Sequence, residues 1–211
     1  MLIITDFNNV LNQFHKSQIL EVYQLQENVL KCVVKQHPFH NSIAAVELKV
    51  KLLNSFYSTN IMAIQQMANH IFKIPDIDDR LMIGDKSLVG DIACLNGRIF
   101  YSFATKYCAL HQPTLFPIFD SIVSDTFKRL LINNNLSPQY NYCKGAISNV
   151  AKYYNLKSFE KRILHDYINY YTLYKYFMNN SGIGSQSMRD VDWYIWGGLK
   201  LNMHFDLKKY I

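Results

Sequence analysis

The sequence is poor in the residues that tight turns, disulfide frameworks and membrane spans require. Only 8 glycines and 5 prolines occur in 211 residues, which argues against a sandwich or barrel built on many tight turns. The four cysteines include no CxxC pair, which argues against a zinc ribbon and indicates buried thiols in a reducing compartment. No apolar run approaches the length of about 18 residues that a membrane span needs, so none is expected.

The first ten residues also lack a recognisable targeting signal. MLIITDFNNV has no basic start and too short an apolar run for a secretory leader, so we expect a cytoplasmic protein. What is present is 49% apolar and 14% aromatic residues, enough for a well-buried core. The net charge of +6 is compatible with a polyanion such as DNA, and also with a basic protein that binds no nucleic acid.

Apolar residues recur mostly at helical spacing, and few segments alternate with period two, so the sequence predicts an all-α fold. We expect a single mainly helical domain over residues 1–211, with two lobes and a cleft near residues 80–140 as the alternative. Residues 1–14 are interpreted as a polar lead-in and residues 76–85 as an acidic connector. The predicted helices cover residues 15–36, 43–57, 61–72, 86–95, 98–110, 121–133, 145–155, 159–178 and 188–199.

The stretch from Leu95 to Asp120 carries the most specific pattern in the chain. Asn96-Gly97 predicts a tight hairpin turn, because both residues tolerate positive φ. A helix follows, and Pro113 and Pro117 end it. Asp120 then lies where the free backbone N–H groups of the next helix favour a carboxylate.

This order of elements resembles the helix-hairpin-helix DNA glycosylase superfamily, nearest its oxoguanine glycosylase branch. Leu95, Asn96 and Gly97 match the start of that family's Leu-Pro-Gly-hydrophobic-Gly hairpin, and residues 117–120 match its Pro-hydrophobic-Asp end. The resemblance implies a helix-hairpin-helix glycosylase-like helical fold. It also implies hydrolysis of the N-glycosidic bond of a damaged or modified base in DNA, without metal or cofactor. Asp120 would be the essential carboxylate, stabilising positive charge on the sugar as the base departs.

Two positions depart from the family pattern. Ile99 replaces the second hairpin glycine, and Tyr101 stands where bifunctional members carry their lysine nucleophile. Lys106, five residues further along the same helix, is the candidate auxiliary or alternative nucleophile. A monofunctional glycosylase needs only the aspartate, so the resemblance predicts base release without lyase activity. The expected DNA contacts are Asn96, Gly97, Arg98, Ser102 and His111.

Each of these residues also has a purely structural interpretation. Asp120 is the kind of residue that caps a helix in most proteins, Lys106 suits a snorkelling lysine, and Asn96-Gly97 is commonly only a turn. The alternative function is therefore a non-catalytic helical module that binds nucleic acid or a protein partner, for example a phage-defence component.

Three other features bear on function. His37 and His40 have a spacing that suits a metal but no third ligand, so a loop pair is the better interpretation and no metal is expected. Trp193 and Trp196 lie on a short helix that is predicted to dock on the core and to end at Gly197-Gly198, with a surface for a protein partner as the alternative. A set of basic residues gives the C-terminal half a character suited to a phosphate backbone: Lys144, Lys152, Lys157, Lys161, Arg162 and Lys175.

Overall fold

The computed structural model describes residues 3–133, 166–203 and 206–209. Over these residues the fold is all-α, which confirms the predicted class; the regular non-helical structure there is one two-stranded hairpin. No helix in these ranges is both long and apolar enough to cross a membrane. The helices are α1 (Phe7–His15), α2 (Gln18–Gln36), α3 (Ile43–Tyr57), α4 (Ile64–Phe72), α5 (Ile77–Ile83), α6 (Leu88–Ala93), α7 (Tyr101–His111), α8 (Ser121–Asn133), α9 (Tyr167–Asn180) and α10 (Met188–Lys200), with strands β1 (Cys94–Leu95) and β2 (Arg98–Ile99) between α6 and α7.

The predicted bounds agree with the structure for α3 and α8. The helix predicted to start at Arg98 starts instead at Tyr101, because Arg98 pairs with Leu95 in the hairpin. The helix predicted over residues 145–155, the first part of the one over 159–178, and the basic residues from Lys144 to Arg162 lie outside the described residues.

The chain divides into two compact units. The terminal unit comprises Met1–Ser17 together with Phe119–Ile211, and the inserted unit comprises Gln18–Ile118. The terminal unit is therefore built from two separate stretches of chain, with the inserted unit between them in sequence. The cleft expected near residues 80–140 stays a prediction.

Helix α1 occupies the segment interpreted from the sequence as a polar lead-in, and that interpretation was wrong. Phe7, Val10, Leu11 and Phe14 are all buried, and their spacing of three and four residues places them on one helical face. This face packs on α10 within the terminal unit. The polar Asn and Gln residues between these apolar positions conceal the periodicity in the sequence.

Phe14 of α1 packs against Gly197 of α10, a position without a side chain. A Cβ added to Gly197 would lie 2.6 Å from Phe14 Cγ, so the glycine permits close packing. The prediction that the helix ends at Gly197-Gly198 was wrong, because the helix continues to Lys200. Trp193 and Trp196 flank the same ring, with centroids 5.2 and 5.8 Å from that of Phe14. Within the terminal unit, the two tryptophans therefore dock this helix as predicted.

The inserted unit is organised around α3, which packs on α2, α4 and α7. Val46, Val50 and Leu53 are fully buried on its inner face, and Lys49 lies on that face with them. A lysine with 0% exposure in a helix interior is unusual and bears directly on the site described below.

The segment interpreted from the sequence as an acidic connector contains helix α5, so that interpretation was also wrong. Ile77 and Leu81 bury one side of the helix, and Asp78 and Asp79 lie in the first turn, where carboxylates are favoured. Gly84, with φ of 71°, caps its end. A helix of seven residues has only one buried i,i+4 pair here, Ile77 and Leu81. One such pair does not give the sequence enough periodicity to distinguish a helix from a charged loop.

Candidate functional site

The Asn96-Gly97 turn is the tight hairpin that the sequence predicts. Both residues have positive φ, 49° and 73°, which is the conformation of a type I′ turn. Asn96, Gly97 and Arg98 are exposed, and the Asn96 side chain donates a hydrogen bond to Gln66 Oε1 at 3.0 Å. The turn therefore presents backbone and a guanidinium to solvent, while the asparagine side chain is anchored to the scaffold.

Ser102 and Lys106 interact directly on α7. Lys106 Nζ donates a hydrogen bond to Ser102 Oγ at 2.5 Å, and the same Nζ lies 5.7 Å from the centroid of the Tyr57 ring. Lys106 is 8% exposed, so its amine is held inside the inserted unit rather than extended from the surface. The two predicted site residues thus form one pair at i,i+4 spacing.

Asp120 immediately precedes α8 in the terminal unit and acts as its cap. Its Oδ1 accepts the Val123 N–H at 2.8 Å, as a carboxylate at a helix start is expected to do. Phe119, the preceding residue, is buried and packs edge-on against the buried Tyr170, with ring centroids 5.4 Å apart. Burial raises the pKa of Tyr170, and the charges of Asp192 and, more weakly, Asp120 add to this effect. The carboxylate is therefore fixed in position next to buried phenol groups.

His111, at the end of α7, belongs to a polar cluster around the buried His40 and Tyr107, which sequence reasoning did not assemble. The Asp78 side chain of this cluster is 36% exposed. The His111 ring lies 5.0 Å from that of His40 and 5.2 Å from that of Tyr107. His40 Nδ1 lies 2.6 Å from Asp78 Oδ1, and the His40 backbone N–H donates to Asp78 Oδ2 at 3.0 Å. On its other side, His40 Nε2 lies 2.8 Å from the Tyr107 hydroxyl.

The protonation of His40 and Tyr107 follows from their burial. Desolvation lowers the pKa of His40, against the raising effect of its hydrogen bond to Asp78, and burial raises the pKa of Tyr107 well above its ordinary value. A neutral His40 must donate from Nδ1 to the acceptor Asp78, which leaves Nε2 to accept the Tyr107 O–H. The result is a directed chain of hydrogen bonds from phenol to imidazole to carboxylate.

Two buried side-chain nitrogen atoms of the described residues have no hydrogen-bond partner, and both belong to this region: Lys49 Nζ and His111 Nε2. Burial lowers the pKa of Lys49 to about 8. Burial likewise lowers the pKa of His111 well below its ordinary value, and the charge of Lys49 lowers it further. An unsatisfied buried amine costs stability, so the placement of Lys49 destabilises the inserted unit.

The cluster joins residues that are far apart in the sequence, which is why the pattern gave no sign of it. His40 and Tyr107 are 67 positions apart, and His40 was interpreted only as half of a loop pair with His37. One signal was present: Lys49 follows Val46 by three positions and precedes Leu53 by four, the spacing of a buried helical face. Across the described ranges, no group of three or more His, Cys, Asp or Glu side chains is arranged to hold a metal ion.

The chain belongs to the HI_0787_N family, whose model, described as an N-terminal domain, matches residues 6–115. This range contains the hairpin, the Ser102–Lys106 pair and the polar cluster, but not Asp120. An uncharacterized protein of Haemophilus influenzae strain Rd is 49% identical over 78 residues, which are 35% of this chain and 39% of that protein. The chain therefore matches well under half the length of that relative. No solved structure matches the chain.

Proposed function

We propose that the chain is a DNA glycosylase-like protein that hydrolyses the N-glycosidic bond of a damaged or modified base. The observation that carries this proposal is the order of elements over residues 95–120. A positive-φ hairpin, a helix, a proline-bounded loop and a carboxylate that caps the following helix succeed one another there. That order is the one for which the sequence resembles the helix-hairpin-helix glycosylases.

In the proposed reaction, Asp120 acts on the sugar. Departure of the base leaves positive charge on the deoxyribose ring, which a fixed carboxylate stabilises without having to reorganise. The same carboxylate can accept a proton from the attacking water. The cap bond from Val123 N–H to Oδ1 supports this role, because it holds the carboxylate in one orientation.

The exposed hairpin is the proposed contact to the DNA backbone. Backbone N–H groups at a tight turn and a neighbouring guanidinium bind a phosphate without reading the base. Arg98 is exposed directly after the turn, and the net charge of +6 favours a polyanion partner. The chemistry needs neither metal nor cofactor, and a DNA substrate goes with the cytoplasmic location expected from the sequence.

Lys106 has an auxiliary role in this proposal. Its amine is buried and bonded to Ser102, and these contacts support a part in holding the helix that follows the hairpin. A Schiff-base nucleophile must instead present a free amine to the sugar. The proposed enzyme is therefore monofunctional.

The test is base release by the full chain from duplexes that each carry one modified base. Asp120→Asn should lower the rate about 100-fold or more while keeping most of the DNA affinity, because asparagine still caps the helix but carries no charge. Asp125→Asn, on the exposed side of the same helix, is the matched control and should retain activity.

Two results would count against the proposal. Equal rates for Asp120→Asn and Asp125→Asn would remove Asp120 from the mechanism. Salt-sensitive DNA binding without base release from any duplex of a broad panel would favour the non-catalytic binding module instead.

A further inference from the structure

Helix α2 has two apolar faces, and only one of them is buried. Leu20 and Leu30 are 0% and 1% exposed on the inner face, where α2 packs on α3 and α7. On the other side, Val22, Leu25 and Val29 are 57%, 64% and 45% exposed. A surface helix ordinarily carries polar residues on its outer face, so the packing of the inserted unit does not account for this second apolar face.

The outer face has the spacing of a helix-pairing seam. Val22, Leu25, Val29 and Cys32 follow one another at intervals of three, four and three residues, which are the a and d positions of two successive heptads. Cys32 and Cys94 are exposed, so the expectation of buried thiols is wrong for these two, whereas Cys108 is buried. We call the four residues at these a and d positions the outer seam. A contiguous apolar stripe of this kind marks an interaction site, whereas scattered exposed apolar residues do not.

We propose that the outer seam binds the outer seam of a second copy of this chain, with the two α2 helices antiparallel about a two-fold axis. In this arrangement Val22 packs against Cys32 of the partner subunit, and Leu25 packs against Val29 of the partner subunit. Because the axis is two-fold, each of these two side-chain pairs occurs twice, and every residue of the outer seam contacts a residue of the partner subunit. A two-fold interface of identical patches closes on itself and gives a dimer.

The charges that flank the seam select the antiparallel second copy. With Val22 and Val29 at a positions, Glu21 and Lys35 both occupy g positions of the heptad. Antiparallel pairing brings the g positions of the two helices together. Glu21 then lies beside Lys35 of the partner subunit at both ends of the interface, and Asn28 faces Asn28 of the partner subunit at its centre. A parallel pair would place Glu21 beside Gln26 of the partner subunit, with no opposite charges in contact.

A first experiment measures association of the full chain by sedimentation velocity from low to high micromolar concentration. We expect a reversible dimer, and we expect Leu25→Glu to weaken it at least about 100-fold, because each dimer loses two buried leucine contacts. Met62→Glu is the matched control, since Met62 is 88% exposed outside the seam, and it should leave association unchanged. A chain that stays monomeric throughout, or two variants that weaken association equally, would overturn the proposal.

A second experiment reverses the flanking charges. Glu21→Lys and Lys35→Glu should each weaken the dimer, because each places like charges together at both ends. The double variant should restore association by exchanging the partners of the same ion pairs. Single reversals without effect, or a double variant no better than the singles, would overturn the antiparallel arrangement.

A third experiment reads the register by cross-linking with a short bis-maleimide, in a chain that carries Cys94→Ser and Cys143→Ser. After Val22→Cys, peptide mapping should find residue 22 linked to residue 32 of the other copy. Without that substitution, Cys32 should not link to its counterpart, because the two lie ten residues apart along the pair, roughly 15 Å. Links from 22 to 22 and from 32 to 32 would indicate a parallel pair. An unreactive Cys32 in a monomer would mean that another part of the same chain covers the seam; either result would overturn the proposal.

Discussion

Replacing the buried Lys49 by methionine should stabilise the protein. The amine lies at 0% exposure without a hydrogen-bond partner, and its pKa falls from 10.5 to about 8 because burial disfavours the charged form. Each pKa unit corresponds to about 1.4 kcal/mol, so keeping this lysine charged costs the folded state about 3 kcal/mol at neutral pH. Methionine matches the length of the lysine stem and removes the amine, so most of this cost should be recovered in Lys49→Met.

The sign of the pH dependence follows from the same pKa. Between pH 8 and 10.5 the unfolded chain binds more protons at residue 49 than the folded chain does, so wild-type stability rises with pH in that window. The advantage of Lys49→Met should therefore be largest below pH 8 and should shrink as the pH approaches 10. The charge of Lys49 also lowers the pKa of His40 and of His111, so the variant should raise both.

The assay must report on the inserted unit. Both tryptophans of the chain, Trp193 and Trp196, lie in the terminal unit, so their fluorescence reports directly on that unit and not on the surroundings of Lys49. Urea unfolding should be followed by far-ultraviolet circular dichroism together with amide hydrogen exchange in α3. The control is Lys51→Met on the same helix, whose side chain is 58% exposed and which should change stability by no more than about 0.5 kcal/mol.

Either of two results would refute the reasoning. If Lys49→Met lowers the free energy of unfolding by more than about 1 kcal/mol while Lys51→Met does not, the amine makes a favourable interaction that outweighs its desolvation cost. If instead the stabilisation is the same at pH 7 and pH 10, the gain arises from apolar packing rather than from removal of a buried charge.

Three further outcomes are expected. Gly197→Ala should destabilise the terminal unit by about 1–3 kcal/mol, because the added methyl group overlaps the ring of Phe14; the shift should appear in tryptophan fluorescence during urea unfolding, and no shift would contradict the packing described. Arg98→Glu should weaken binding to all duplexes alike and should reduce the slope of log affinity against log salt, measured by fluorescence anisotropy; a change in sequence preference would contradict a phosphate contact. Lys106→Gln should leave base release largely intact, and borohydride should trap no covalent DNA adduct in the wild type; a trapped adduct that Lys106→Gln abolishes would make this lysine the nucleophile.

The sequence predicts those elements whose physics is local. The bounds of α3 and α8 could be derived from apolar spacing and from the residue types before them, although Asp120 makes a side-chain cap bond and Ser42 does not. The Asn96-Gly97 turn and the Asp120 cap depend on short-range backbone preferences and were also predictable. Helix α5 was missed because its charged first turn looks like a loop when the burial of Ile77 and Leu81 is unknown.

The polar cluster was not predictable for a different reason. The contact of His40 with Tyr107 depends on how α7 packs within the inserted unit, and nothing in either local segment specifies it. Lys49 is an intermediate case, because its position on the apolar face of α3 can be read from spacing alone. A lysine is nevertheless assumed to be solvated unless the structure shows otherwise.

The packing of α1 on α10 has a consequence for the order of folding. During synthesis α1 leaves the ribosome before α10, its packing partner, which begins only at Met188. The inserted unit is one continuous stretch, Gln18–Ile118, and can form in the interval. The terminal unit must wait for the contact between α1 and α10, which are separated by most of the chain. The family match over residues 6–115 includes α1 without α10. A fragment with only that range would therefore expose the apolar face of α1, including Phe7 and Phe14, to solvent. We expect this fragment to aggregate unless α1 is also removed.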